Sequence, residues 1–147
     1  MSTQTQIFVN LPVKDLNRSI SFYTGLGYTV NPQFTNEQGA CIVISDTIYL
    51  MILVEEFFQG FTKKQIADAH KTTEVLLCLS AETREGVDEL VNKAIAAGGT
   101  TPNDSNDHGF MYQWGFQDPD GHLWEVAWMD MSAVPEDMNA EAGNAIA

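Results

Sequence analysis

One carboxylate stands out by its company. Glu125 lies within Leu123-Trp124-Glu125-Val126-Ala127-Trp128-Met129, an alternating, largely apolar run. Residues two apart share a sheet face, so Glu125 sits with Leu123, Ala127 and Met129. A carboxylate in such surroundings is costly unless it has a partner or a task. Desolvation of this kind suits a general base near neutral pH, one that removes a proton beside a carbonyl. That chemistry also needs a group to hold the developing charge. Asn10, Tyr112 and His108 are the available donors. The competing reading is structural, with Glu125 accepting hydrogen bonds from Trp114 or Tyr112 and fastening the sheet. No Ser-His-Asp set, phosphate-cradling glycine loop or zinc-finger spacing accompanies it.

The element that positions Glu125 is a hairpin. Asp118-Pro119-Asp120-Gly121 is a tight-turn sequence between two alternating strands. With Pro119 and Asp120 at the tip, Phe116 faces Leu123 and Trp114 faces Glu125. His122 then falls on the other sheet face, outside the cavity. Phe8, Tyr112, Trp114 and Phe116 form a candidate pocket wall, and their number favours a flat, partly apolar ligand. Core packing explains the same aromatics equally well.

The remaining elements repeat one order. Ile7, Val9, Leu11 and Val13 mark a strand. Asp15 caps a helix from Leu16 with Ile20, Tyr23 and Leu26 on one face, ended by Gly27. Extended segments follow near residues 28–34, 40–45 and 48–54. A strand over residues 74–81 opens the second half. Thr83 opens the second helix, with Val87, Leu90, Val91, Ala94 and Ile95 inward and Gly98-Gly99 as its stop. Extended segments near 100–102, 110–117 and 122–129 complete it. The chain is therefore βαβββ twice, an α+β fold in which paired modules form curled mixed sheets around a cavity. Asp46-Thr47-Ile48-Tyr49-Leu50-Met51 in the first half takes the place of Asp120-Gly121-His122-Leu123-Trp124-Glu125 in the second. Residues 1–130 read as a single domain, with module one over 7–54, an insertion over 55–71 and module two over 72–130. Thr62-Lys63-Lys64-Gln65 has capping-box spacing and opens a short helix through Ala69. That helix is either a lid, closed by Phe57, Phe58 and Phe61, or a linker packed outside. Residues 131–147 read as a tail, frayed or clasping a partner subunit.

Composition narrows the partners. The 147 residues carry a formal net charge of −13. That field repels phosphate backbones and anionic membranes, which argues against nucleic acid and membrane partners. No apolar run approaches the ~20 residues that span a bilayer, and the polar start lacks a signal-peptide layout. Cys41 and Cys78 fall inside strands and read as buried free thiols of a reducing cytoplasm.

Two motifs resemble the vicinal oxygen chelate superfamily, which includes glyoxalase I, bleomycin-resistance proteins and extradiol dioxygenases. Asn10-Leu11-Pro12-Val13-Lys14-Asp15-Leu16-Asn17-Arg18-Ser19-Ile20-Ser21-Phe22-Tyr23, with Gly25-Leu26-Gly27, resembles its opening. Asp118-Pro119-Asp120-Gly121 with Trp124-Glu125 looks like its closing hairpin. The resemblance spans residues 7–130 and is specific for fold, not for activity. It implies a homodimer and a small-molecule ligand. Metal-binding members use one ligand from the first and one from the last strand of each module. Those positions fall here on Phe8, Met51, Leu76 and Glu125, of which only Glu125 is a usual ligand. No cofactor is expected. Were a divalent ion to bind, Glu125 with Glu74, two residues before Leu76, or with His108 from its loop would have to hold it. Two functions from different classes remain. One is a metal-free binder of a small, partly apolar molecule, with Phe8, Asn10, Met51, Glu74, Leu76, His108, Tyr112, Trp114 and Phe116 as pocket candidates. The other is a lyase, isomerase or dioxygenase, lactoylglutathione lyase-like, that uses Glu125 with a metal or as a base.

Overall fold

Both strand-helix units begin with a capped helix. A computed structural model of the chain describes residues 4–133. β1 (Ile7–Val13) leads into α1 (Leu16–Gly25), where the Asp15 carboxylate accepts from the Arg18 N–H at 3.1 Å. In the second unit β5 (Leu76–Ser80) leads into α3 (Arg84–Ala96), and the Thr83 hydroxyl accepts from the Gly86 N–H at 2.9 Å. Gly27 and Gly98 follow the helices at φ 105° and 109°, the left-handed region where glycine costs least.

Three strands complete each module. The first adds β2 (Thr29–Asn31), β3 (Gly39–Val43) and β4 (Ile48–Val54); the second adds β6 (Asn106–Asp107), β7 (Met111–Gln117) and β8 (Leu123–Met129). The sheets run β1-β4-β3-β2 and β5-β8-β7-β6, so the doubled βαβββ order holds. β1 pairs with β4 in parallel, as β5 does with β8, and the other pairs are antiparallel. The sheets curl without closing.

Alternation divides every strand between a covered and an open face. Leu11, Val13, Ala40, Ile42, Leu50 and Ile52 point to the helices in module one, and Phe116, Trp124 and Val126 do so in module two. With Phe22, Tyr23 and Leu26 of α1 and Val87, Val91 and Ala94 of α3 they form one core that spans both modules. The opposite faces remain largely uncovered. Phe8 is 51% exposed and Leu76 54%.

Several sequence expectations need correction. The edge strand of module two is Asn106–Asp107; at residues 100–102 only Thr100 bridges, to Gln117. Pro32 turns the segment after β2 into a 3-10 turn, Pro32–Phe34. Ile95 faces out at 43% exposure. Cys41 is buried, but Cys78 is exposed. The insertion has no helix at residues 62–69. Its helical part is α2 (Glu55–Phe58) and the following turn Gln59–Phe61. Beyond it the backbone is irregular, and Gln59 Nε2 ties it to the carbonyls of Thr62 and Lys64. Residues 66–70 lie with Pro12, Asp120 and His122 around a small cavity at the module junction, so the insertion straps that junction and does not lid the open faces. Of the expected tail, 134–147 lie outside the described residues, and Met131–Ala133 make a 3-10 turn. No helix among the described residues is long and apolar enough to cross a membrane.

Candidate functional site

Glu125 occupies the open face of the second sheet. Its neighbour in β5 is Cys78 and its neighbour in β7 is Gly115, not Trp114. The hairpin tip explains the difference. Asp118 and His122 close a three-residue loop, with the Asp118 N–H donating to the His122 carbonyl at 3.0 Å. Gly121 takes φ 92° within it. One extra loop residue moves the register by one, and a slip of one exchanges the faces of the opposite strand. Phe116 therefore pairs with Trp124, and Trp114 with Val126.

Of the aromatic pocket candidates, Trp114 and Phe116 still border the cavity that holds Glu125, whereas Phe8 and Tyr112 do not. Phe116 is 1% exposed in the core. The Tyr112 hydroxyl donates to Asp88 at 2.6 Å. Trp114 packs against the core and donates through Nε1 to the Asn103 carbonyl at 3.2 Å. Neither serves Glu125, whose carboxylate has no hydrogen-bond or ion-pair partner among the described residues. The structural-acceptor reading therefore loses its donors.

What surrounds Glu125 is a cavity of about 380 Å³. Leu76, Leu123, Trp114, Phe116 and Trp124 supply apolar wall. Asn103, Asp104, Asn106 and Gln113 supply amide and carboxylate groups, and no basic side chain lines it. Cys78 lies beside Glu125, and partial desolvation together with the Glu125 charge pushes its thiol pKa up. Such a thiol stays protonated and is a weak nucleophile.

A second open hollow, about 450 Å³, lies on module one. Phe8 stacks on Tyr49 there with ring centroids 4.8 Å apart and planes 12° from parallel. Met51, Cys41 and Phe34 extend the apolar wall, with Gln6 and Asn31 at its edge. Asn10 pairs with Met51 on the same face, and its amide donates to the Phe8 carbonyl at 3.3 Å. Phe8, Asn10 and Met51 are thus together, while Leu76 and Glu125 belong to the other sheet.

The donor set does not fit a divalent metal. Phe8, Met51 and Leu76 carry no oxygen or nitrogen in their side chains. Glu74 is committed elsewhere, its Oε1 2.7 Å from His122 Nδ1. His108 is an exposed residue of the β6–β7 loop, and its backbone N–H donates to the Met111 carbonyl at 2.8 Å. No three His, Cys, Asp or Glu side chains gather closely enough for a metal among the described residues.

Sequence reasoning missed the polar group behind the hairpin. Asp120, 8% exposed, accepts from the Lys14 N–H, Arg18 Nη2 and the Ser19 hydroxyl. Asp118, 3% exposed, accepts from the Tyr23 hydroxyl and from the N–H groups of Asp120 and His122. Trp124 Nε1 donates to the Tyr23 oxygen at 3.0 Å. Burial, then the neighbouring Asp118, holds the Tyr23 pKa well above its usual value. Burial also raises the Asp118 carboxyl, against the opposing pull of His122 and Tyr23. The Asp-Pro-Asp-Gly turn chemistry concealed a second role, in which its carboxylates fasten module two to α1. The signal available was the pair of acids itself, one more than a turn requires.

Comparison with known proteins agrees with this geometry. Residues 5–45 match the family described as bleomycin resistance protein-like N-terminal. No curated protein sequence matches the chain. Among solved structures, the hypothetical protein SA1046 from S. aureus is 29% identical, over 86% of this chain and 95% of that one, with a TM-score of 0.72. A glyoxalase-related enzyme from Fulvimarina pelagi is 23% identical over 86% and 88%, with a TM-score of 0.71. A glyoxalase/bleomycin resistance protein/dioxygenase family enzyme from Burkholderia phytofirmans PsJN is 20% identical over 83% and 96%, at 0.69. The paired-module fold is thus the one these glyoxalase-like structures share, and the first module resembles the bleomycin resistance protein-like N-terminal family.

Proposed function

We propose that this protein binds a small, partly apolar organic molecule on its open sheet faces, without a divalent metal. The observation that carries the reading is the pair of hollows described above. One offers a stacked aromatic platform, and the other two carboxylates, Glu125 and Asp104, among amides and apolar side chains. Asp104 and Glu125, with no basic side chain opposite, favour a ligand that brings hydrogen-bond donors or positive charge to module two. The Phe8–Tyr49 stack favours a flat apolar part on module one.

A single chain leaves both hollows open. Ile7, Phe8, Phe34, Val75 and Leu76 are exposed on or beside the uncovered faces. Apolar area of that kind favours a partner, and the reading gives it a second copy of the chain in a homodimer. The free cysteines suit a cytoplasmic protein.

The test is native mass spectrometry with elemental analysis of dialysed protein, followed by fluorescence titration with flat aromatic amines and their neutral analogues. Saturable binding that weakens in Glu125→Gln supports the reading. About one Ni, Zn, Mn or Fe per subunit, lost in Glu125→Ala, would overturn it.

One observation favours the enzyme alternative. Among the described residues Glu125 has no hydrogen-bond or ion-pair partner, and it faces a cavity with amide groups able to hold developing charge. A lyase or isomerase in which Glu125 removes a proton needs no metal. Solvent deuterium exchange into a bound carbonyl compound, absent in Glu125→Gln, would select it.

A further inference from the structure

His122 is 2% exposed and holds two acceptors at once. Nε2 lies 2.7 Å from the Pro12 carbonyl oxygen, in β1 of module one. Nδ1 lies 2.7 Å from Glu74 Oε1, just before β5 of module two. A backbone carbonyl can only accept, so Nε2 carries a proton. The second proton lies between Nδ1 and a carboxylate whose side chain is 26% exposed. An ordinary imidazole keeps its proton about two pH units higher than an ordinary carboxyl, which assigns that proton to the ring. Both nitrogens donate, and the ring is an imidazolium.

The surroundings need that charge. Glu74 and Asp118 face the ring, and Asp120 lies one residue beyond Asp118's turn partner Pro119. Arg18, on Asp120, is the other cation bound to this group. Lys14, Glu55, Asp68 and His70 border the adjoining cavity of about 110 Å³. Tyr23, bonded to Asp118, stays neutral. With His122 charged, three carboxylates meet two cations. With it neutral they meet one, and either Pro12 or Glu74 loses its donor.

We propose that the His122 imidazolium is a pH-sensitive latch between the two modules, clamping the end of β1 to the start of β5 and to the closing hairpin. Burial alone would lower the pKa of the ring. Asp118, the Pro12 carbonyl and Glu74 reverse this and leave it raised. The sign follows. The latch contributes fully below the ordinary imidazole value of about 6.5 and is lost as pH rises through the higher folded value.

Nitrogen-15 NMR of the histidine rings tests it directly. His122 is expected to carry protons on both nitrogens at pH 7 and to titrate above the ordinary imidazole value of about 6.5. Glu74→Gln should bring its midpoint down. Urea titrations of the wild type and His122→Gln at pH 6 and pH 9 give the coupling. The wild type should lose about tenfold in folding equilibrium constant for each unit by which the folded midpoint exceeds the unfolded one, and the variant should lack that loss. A ring neutral at pH 7, or stability profiles that run parallel in both proteins, would overturn the latch. If His122→Gln does not fold, the ring titration of the wild type decides alone.

Discussion

Glu125 and Tyr23 show how differently two polar groups can be held by the same hairpin. The Glu125 carboxylate has no partner among the described residues, so its exchange for an amide breaks no bond. Glu125→Gln should change unfolding free energy by less than about 0.5 kcal/mol, while ligand binding falls. Denaturant melts beside a binding titration check both halves, and a clear loss of stability with unchanged binding would end the functional reading of Glu125. Tyr23 is the reverse case. Tyr23→Phe removes a donor from buried Asp118 and an acceptor from Trp124 Nε1. It should cost about 1–3 kcal/mol, read from the same melts. The first contrast was partly legible in the sequence, because a carboxylate in an apolar strand stands out. The second was not. Nothing local to Tyr23 announces an acid 95 residues away.

At the scale of elements, the hairpin and the insertion are one unit. A Cβ at Gly121 would lie 2.7 Å from both the Ala69 carbonyl carbon and the His70 nitrogen, and its φ of 92° already disfavours a side chain. Gly121→Ala should therefore cost more than about 1 kcal/mol. Gly109→Ala is the control. It has φ 81° but open space around it, so it bears only the backbone cost. Equal destabilisation of the two in urea would refute the packing argument. Strands and helices were readable because their periodicities and caps are local. Both βαβββ orders, Asp15 and Thr83 followed from residue spacing alone. The register of β7 against β8 did not, since a loop of two and a loop of three residues can share the letters Asp-Pro-Asp-Gly. The missing insertion helix has a similar cause. Thr62 and Gln65 supply capping letters, but docking of residues 69 and 70 against Gly121 is a tertiary contact.

For the whole molecule, mass is the decisive quantity. A subunit weighs 16.3 kDa, and a homodimer would weigh twice that. Light scattering at micromolar concentration should give the larger value, and Phe8→Asp with Leu76→Asp should shift it toward the smaller by placing charge on the open faces. A particle of subunit mass in the wild type would refute the dimer. The net charge of −13 opposes the approach of a second copy, so any dimerisation should strengthen with added salt.

The single core has a calorimetric consequence. Phe22 of α1 meets Phe116 of β7 with ring centroids 5.9 Å apart, so each half of the chain supplies walls that the other half needs. Two similar units do not then amount to two independent melting units. Heating dilute protein should give one endotherm whose measured enthalpy equals the van't Hoff value for a whole subunit, corrected for any dissociation. A gene cut at the insertion would yield halves that each expose half a core, and they should remain unfolded apart and regain structure when mixed.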